Sequence, residues 1–334
     1  MKGLSLIELM IAMTLGLATV AAVGWVYLGT MKTYRAHDAS SRIQEGARHA
    51  FELIGKDLRM TGTVGCPYAT QTNVITNYGT EWYADLFDQP LISIEQDATD
   101  VGEVNEFSDA VSILRADVSK EFIVQNHDSV AMTFTLPADH GIQDGELMVV
   151  TDCSHAAVFQ ATGPTSTTVG HSPGGTPGNS SGVLGATYTP GSRLYRLKAV
   201  TYYIAPNAAG VPSLFRLVPT GSSATPTPEE LVEGVEDLQV TYGADTDSPK
   251  NGVVDLVGGV GYITATDVDS LAGVDVPEKW GRVVSVRVSL LMSTAEDRIV
   301  ATSQTYAYNG GSAITAPDLR MRKVFTHVIK LRNR

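Results

Sequence analysis

Between Leu4 and Leu28, a run of 25 residues, the only ionisable side chains are Glu8 and Tyr27. As a helix rising 1.5 Å per residue, the run is about 37 Å long, enough to cross a bilayer with some tilt. A carboxylate inside such a run costs roughly 2.5–3.5 kcal/mol on insertion scales, so Glu8 needs a functional explanation. A cleaved secretory signal would carry a basic start and a small-residue cleavage site. Here the start is only Met1-Lys2, and the apolar run continues past the small residues of Ala18 to Ala22 through Trp25, Val26 and Leu28. A plain signal anchor explains the length and leaves Glu8 as an unexplained cost.

Beyond Thr30 the chain becomes charged but keeps a helical period. Ile43, Ala47, Ala50, Phe51, Ile54 and Leu58 recur at three- and four-residue spacing and define one apolar stripe. Arg48 and Glu52 stand as an i, i+4 pair on its flank. Gly62 and Gly65 then give stop signals before Pro67. No proline interrupts Leu4 to Thr61, so one helix of about 58 residues, roughly 87 Å long, is expected. Its weakest points are Gly16, Gly24 and Gly29, each costing up to about 1 kcal/mol in a helix interior.

Gly3-Leu4-Ser5-Leu6-Ile7-Glu8 resembles the class III signal of type IV prepilins and pseudopilins. The resemblance implies cleavage between Gly3 and Leu4 by a membrane-embedded prepilin peptidase, N-methylation of Leu4, and retention of Glu8. In that family the acid serves as an assembly contact, pairing with the N-terminal amine of a neighbouring subunit. A buried charge is tolerable when it is paired in this way. The series Gln44-Glu45, Ala47-Arg48, Ala50 and Asp57-Leu58-Arg59, followed by Gly62 and Gly65-Cys66, is similar to the PilW-type minor pilins. So are GELMVVTDC, GVEDLQVTYG, SVRVSLLM and the ending MRKVFTHVIKLRNR.

Past Cys66 the patterning changes to period two. Val130, Met132, Phe134 and Leu136 alternate, as do Leu238, Val240 and Tyr242, and Val284 through Met292. Further strands are expected at Ala110 to Leu114, Glu146 to Thr151, Ala156 to Ala161, Leu194 to Ile204, Ser213 to Val218 and Val324 to Leu331. The fold class is therefore α+β: a long N-terminal helix packed on a β-rich, mostly antiparallel head, the type IV pilin-like plan that the resemblance also implies. The expected organisation is a leader at 1–3, a transmembrane or filament-core helix at 4–30, its amphipathic continuation at 31–62, and a head at 63–334. The Gly/Ser/Thr/Pro-rich stretch from Gly163 to Gly182 reads as an exposed flexible loop, a candidate divide between two lobes.

Cys66 and Cys153 are too far apart for a CxxC motif. Outside the cytoplasm one disulfide is the natural reading, closing a loop of about 87 residues and contributing roughly 4 kcal/mol. Two unpaired buried thiols are the alternative. Gly170-His171-Ser172-Pro173-Gly174 matches G-x-S-x-G, but GTPGNSSG behind it cannot start the helix a nucleophile elbow needs. His155 beside Cys153 lacks a second pair of metal ligands. Asp245, Asp247 and Asp255 offer hard oxygens to calcium but lack the closing Glu of an EF-hand, and such residues also favour turns. No catalytic residue, metal or other cofactor is expected. The net charge of −12 argues against nucleic acid as a partner. Nine acidic residues and no Lys or Arg lie between Arg59 and Arg115, whereas the last fifteen residues hold six basic ones. These are either two solvated surfaces or a dipolar head that steers neighbours.

The resemblance implies a minor pilin, not an enzyme, which primes type IV pilus assembly within a tip complex and so supports twitching motility, adhesion or DNA uptake. The implied partners are other minor pilins, the major pilin, the prepilin peptidase and a tip adhesin. The implied location is the bacterial inner membrane, single-pass with the head in the periplasm, and then the pilus. A J-type pseudopilin of type II secretion shares this plan and is the first alternative. A signal-anchored periplasmic enzyme is a more remote one.

Overall fold

A computed structural model describes residues 6–66, 70–78, 83–94, 108–218, 227–271, 276–308 and 313–332. Helix α1 spans Leu6–Arg59, 54 residues and about 81 Å in one piece. It ends where the glycines ask it to. Met60 and Thr61 donate back to Asp57 and Leu58, Gly62 takes φ +70°, and the Gly62 amide donates to the Leu114 carbonyl at 2.9 Å. That last bond ties the helix terminus to the head. Gly65 must also be glycine, because an added Cβ would sit 2.7 Å from the Tyr195 ring.

The head follows as β1 (Thr70–Asn73), β2 (Leu91–Ile94), β3 (Ala110–Ala116), β4 (Phe122–Ile123), β5 (Asn126–Asp128), β6 (Thr133–Thr135), β7 (Leu147–Thr151), β8 (His155–Gln160) and β9 (Thr168–Gly170). Then come β10 (Arg193–Pro206), β11 (Pro212–Leu217), β12 (Glu229–Glu233), β13 (Val235–Ala244), the short helices α2 (Ala265–Asp269) and α3 (Val276–Trp280), β14 (Val283–Ser293), β15 (Thr305–Tyr306), β16 (Ile314–Thr315) and β17 (Arg322–Lys330). A nine-stranded sheet runs β1-β8-β7-β10-β11-β12, with β2, β3 and β4 joined beside it. The long β10 organises this sheet. Its first residues pair with β4 and β7, its middle with β3, and its end with β11. All pairs are antiparallel except β1 with β8. The β13-β14-β17 and β5-β6-β9 sheets are antiparallel too, and β15 pairs with β16.

The α+β plan expected from the sequence is thus observed, and the apolar stripe of α1 accounts for its placement. Ile43, Ala47, Ala50, Ile54 and Leu58 are buried in the main core together with β13, β14 and β17, and Phe51 packs at its margin. The approach is close: a Cβ on Gly46 would come within 3.2 Å of both Met292 and Val232. A second core lies between β5-β6-β9 and the β7-β8 hairpin, built on Phe134, Phe159, Val169 and Tyr188.

Three expectations are corrected. The i, i+4 ion pair on α1 is Asp38–Arg42 at 3.0 Å, rather than Arg48–Glu52. The alternation from Val130 to Leu136 holds for buried Phe134 and Leu136 but fails at its start. There the Asp128 carboxylate accepts from the Val130 and Ala131 amides and forms a turn, leaving Val130 fully out in solvent. The segment 163–182 is no exposed loop, because it contains β9 and buries His171 and Asn179. Two amide side chains account for this. The Gln160 backbone amide donates to Asn179 Oδ1, and Asn179 Nδ2 donates to the Gln160 and Ser172 carbonyls. The Gln160 side chain, in turn, binds Gly178, Thr176 and Gly145. Backbone that composition assigns to water is satisfied inside the head.

Candidate assembly site

The two halves of α1 live in different surroundings. From Leu6 to Arg35 every residue is exposed, including Leu17, Trp25 and Leu28, and burial begins only near Ala39. The apolar stretch is long enough to cross a membrane and none of it is covered by the head. The polar side chains within it are satisfied along the helix itself. Thr14, Thr19, Thr30 and Thr33 each donate to a carbonyl three or four residues back. In hydrocarbon that is what a hydroxyl requires. Gly16, Gly24 and Gly29 have nothing within 4 Å of an added Cβ, so packing inside this chain does not call for glycine there. Glu8 stands in the first turn, where the helix dipole favours a carboxylate. Gly3 and Leu4, the expected cleavage and methylation positions, lie outside the described residues.

The other half of α1 is clamped to the head by a buried charge. Asp57 faces Arg115 of β3, with Oδ1 accepting from Nη2 at 2.9 Å and from Nε at 3.1 Å. Both side chains are less than a tenth exposed. The Tyr202 hydroxyl of β10 donates to Asp57 Oδ2 at 2.7 Å. Burial, and then the Asp57 charge, push the Tyr202 hydroxyl well above the ordinary tyrosine range, so it stays a donor at any physiological pH. Each Asp57 oxygen therefore has a partner from a different strand, which fixes the helix against the sheet in rotation and register. The sequence reading missed this triad, although signals for it exist. Asp57 interrupts the apolar stripe between Ile54 and Leu58, and Arg115 lies in the otherwise uncharged AVSILRA.

Towards the membrane end, Lys323 Nζ of β17 donates to Ser40 Oγ at 2.6 Å, and the His327 and Phe51 rings meet at 5.5 Å. Arg322, next to Lys323, is buried and holds Glu236 with two bonds of 2.7 and 2.8 Å, with Asp318 on its other side. This C-terminal cation is thus an internal fastening and not part of a steering surface. Where the uncovered half of α1 reaches the head, a cavity of about 210 Å³ opens between Tyr34, Asp38 and Ile43 on the helix and Gly234, Met292 and Ile299 on the head.

Cys66, just past the end of α1, is joined to Cys153 in the β7-β8 turn. Bonded Cys153 is no partner for His155 at a metal; His155 Nδ1 instead meets Asp152 Oδ2 at 3.1 Å. Asp245, Asp247 and Asp255 bring carboxylate oxygens within 4.8 Å of one another. The loop engages them itself. Asp245 accepts from the Asp247, Asn251 and Gly252 amides, and Asp255 accepts from Thr246. Burial raises the Asp245 pKa, but these donors outweigh it and hold it below the usual range. Gly170 ends β9 and is followed by turn, so the strand-to-helix setting of a nucleophile elbow does not occur at G-x-S-x-G.

Neither a curated protein nor a solved structure matches the chain. Residues 201–333, from the middle of β10 to the C-terminal strand, match the model of the family described as type IV pilus-assembly protein W. These residues supply most of the surface that carries α1, namely β12, β14 and β17, together with the Tyr202 end of the clamp. An uncovered apolar helix long enough for a membrane is thus fastened to a head whose residues 201–333 are similar to type IV pilus-assembly protein W.

Proposed function

We propose that the chain is a minor pilin that, after processing between Gly3 and Leu4, joins a small complex that primes the pilus and stays at its tip. The observation that carries this reading is the division of α1. Its first thirty residues are exposed, apolar from Leu6 to Leu28 apart from Glu8, while the remainder is fixed to the head by a stripe and a buried ion pair. A surface of that kind has to be covered, first by lipid and then by the helices of other subunits. Glu8 is the polar contact within that covering, and its partner is the N-terminal amine of a neighbouring subunit. Other minor pilins, the major pilin, the prepilin peptidase and a tip adhesin are the partners of this role, with motility, adhesion or DNA uptake as its outcome.

Deleting the gene should abolish or sharply reduce surface pili while exoprotein secretion continues. Lost secretion with normal piliation would instead assign the chain to type II secretion. Mass spectrometry of the mature chain should find an N-methylated Leu4 as its first residue, and Gly3→Ala should accumulate as membrane-bound precursor. Glu8→Ala should still be processed but co-purify with its partners at least several-fold less well. Undiminished recovery would rule out the amine contact.

A further inference from the structure

The core beneath β5, β6 and β9 holds two histidines whose rings face each other. His127 on β5 and His171 just after β9 approach at 3.1 Å, Nε2 to Nε2, and both are buried. Phe134 stacks on His127 at 4.3 Å, and Phe159 and Tyr188 close the cluster. The tautomers follow from one further bond. The Tyr188 backbone N–H donates to His127 Nδ1 at 3.0 Å, and a backbone amide can only donate. The His127 proton is therefore on Nε2 and is given to His171 Nε2, so the His171 proton is on Nδ1.

This chain of donors has no room for another proton. A cationic His127 would turn an N–H towards the Tyr188 N–H. A cationic His171 would turn an N–H towards the His127 N–H. The arrangement in which the two rings share a proton is closed as well, because it needs His127 to release Tyr188. The Tyr188 and His171 amides, the latter bonded to the Met132 carbonyl, hold the segment 171–192 onto β5 and β6.

We infer that the His127–His171 pair is an acid-sensitive catch: protonation releases the segment 171–192 from the β5-β6-β9 layer while the α1-bearing core stays closed. The surrounding charges do little to oppose release. Asp128, next to His127 on β5, favours its cation, and Asp152 acts on Tyr188 from ahead of β8. β6 and β9 contribute Phe134, Val169 and threonines. Burial, and then the neighbouring His127, lower the His171 pKa to about 4, against a slight opposite pull from the Gly182 backbone. Burial lowers that of His127 also. A neutral histidine held below its unfolded value of 6.5 costs nothing above pH 6.5. It loses stability as pH falls towards the folded value, because only the open form takes the proton. From pH 7 to 4, His171 alone shifts the opening equilibrium by about 100-fold.

The test is hydrogen exchange on the full chain in detergent at pH 7 and pH 4.5, corrected for the intrinsic pH dependence of exchange. Peptides covering 171–192 should lose on the order of 100-fold in protection, while peptides from β13 and β14 change little. The double variant His127→Asn/His171→Gln, which keeps an acceptor for Tyr188 but cannot titrate, should abolish most of that difference. Equal loss in both peptide groups, or a double variant as pH-sensitive as the wild type, overturns the inference. If the variant does not fold, carbon-13-labelled histidines in the wild-type chain decide. Of seven histidines, two that titrate below the ordinary histidine range support the catch, and fewer overturn it.

Discussion

Asp57→Ala is expected to remove about 3–5 kcal/mol of stability, because it leaves the Arg115 guanidinium buried with no counter-charge. Domains of this kind carry only about 5–15 kcal/mol in all. For a head of this size the loss corresponds to a melting temperature roughly 10 °C lower. Arg115→Ala should cost a similar amount, since the Asp57 carboxylate would keep only the Tyr202 hydroxyl. Tyr202→Phe should cost less, about 1.5–3 kcal/mol, the value of one hydrogen bond to a charged group. The decisive comparison is Asp57→Leu/Arg115→Met. Replacing both charges with apolar side chains removes the desolvation penalty as well as the attraction, so much of the stability should return. A double variant as unstable as Asp57→Ala would mean that the loss is one of packing and not of an orphaned charge. Calorimetry of the four proteins measures this. Hydrogen exchange should also find the last two turns of α1 opening first, because the clamp lies there.

What the sequence made legible follows from how local each signal is. The α1 stripe, its end at Gly62 and the strands from Val235 to Met292 depend on neighbours within a few residues, and period alone exposes them. The Cys66–Cys153 pairing was readable because two cysteines allow only one bond. Asp57, Arg115 and Tyr202 stand 58 and 145 residues apart, and no window sees such a meeting. The segment 163–182 misled for a related reason. Its glycines and serines are loop residues by composition, but the groups that bury it, Gln160 and Asn179, act by side-chain hydrogen bonds that no periodicity records. The short helix α2 did leave a local mark in its capping box, Thr264 with Asp267, though five residues are too few for a stripe. Of the candidate assembly site, the apolar half of α1 and Glu8 were visible in the sequence, whereas the clamp that fixes the other half of α1 to the head was not.

Removing the disulfide should be about as costly as breaking the clamp. The bond closes an 87-residue separation, and the loop-entropy relation gives about 4.6 kcal/mol for such a closure. Its location adds a local effect. Cys66 follows the Gly62 and Gly65 turn that ends α1, while Cys153 sits between β7 and β8, with the Thr151 hydroxyl 3.6 Å from the Cys66 sulfur. Without the bond, the exit from α1 is held to the β7-β8 hairpin only by weaker contacts, so residues 60–75 and 147–160 should exchange faster while β13 and β14 hold. The choice of replacement affects the result. Cys153 has φ +68°, a conformation that costs a non-glycine residue roughly 1–2 kcal/mol. Cys66→Ala/Cys153→Gly should therefore be about 1 kcal/mol more stable than Cys66→Ala/Cys153→Ala, and the two bracket the contribution of the cross-link itself. Reduction of the wild-type chain should lower its melting temperature towards the same range and leave both variants unmoved. A wild-type chain that melts at the same temperature with and without reductant would show that the bond contributes nothing to the folded state. The head would then rest on the Asp57 clamp and its apolar cores alone.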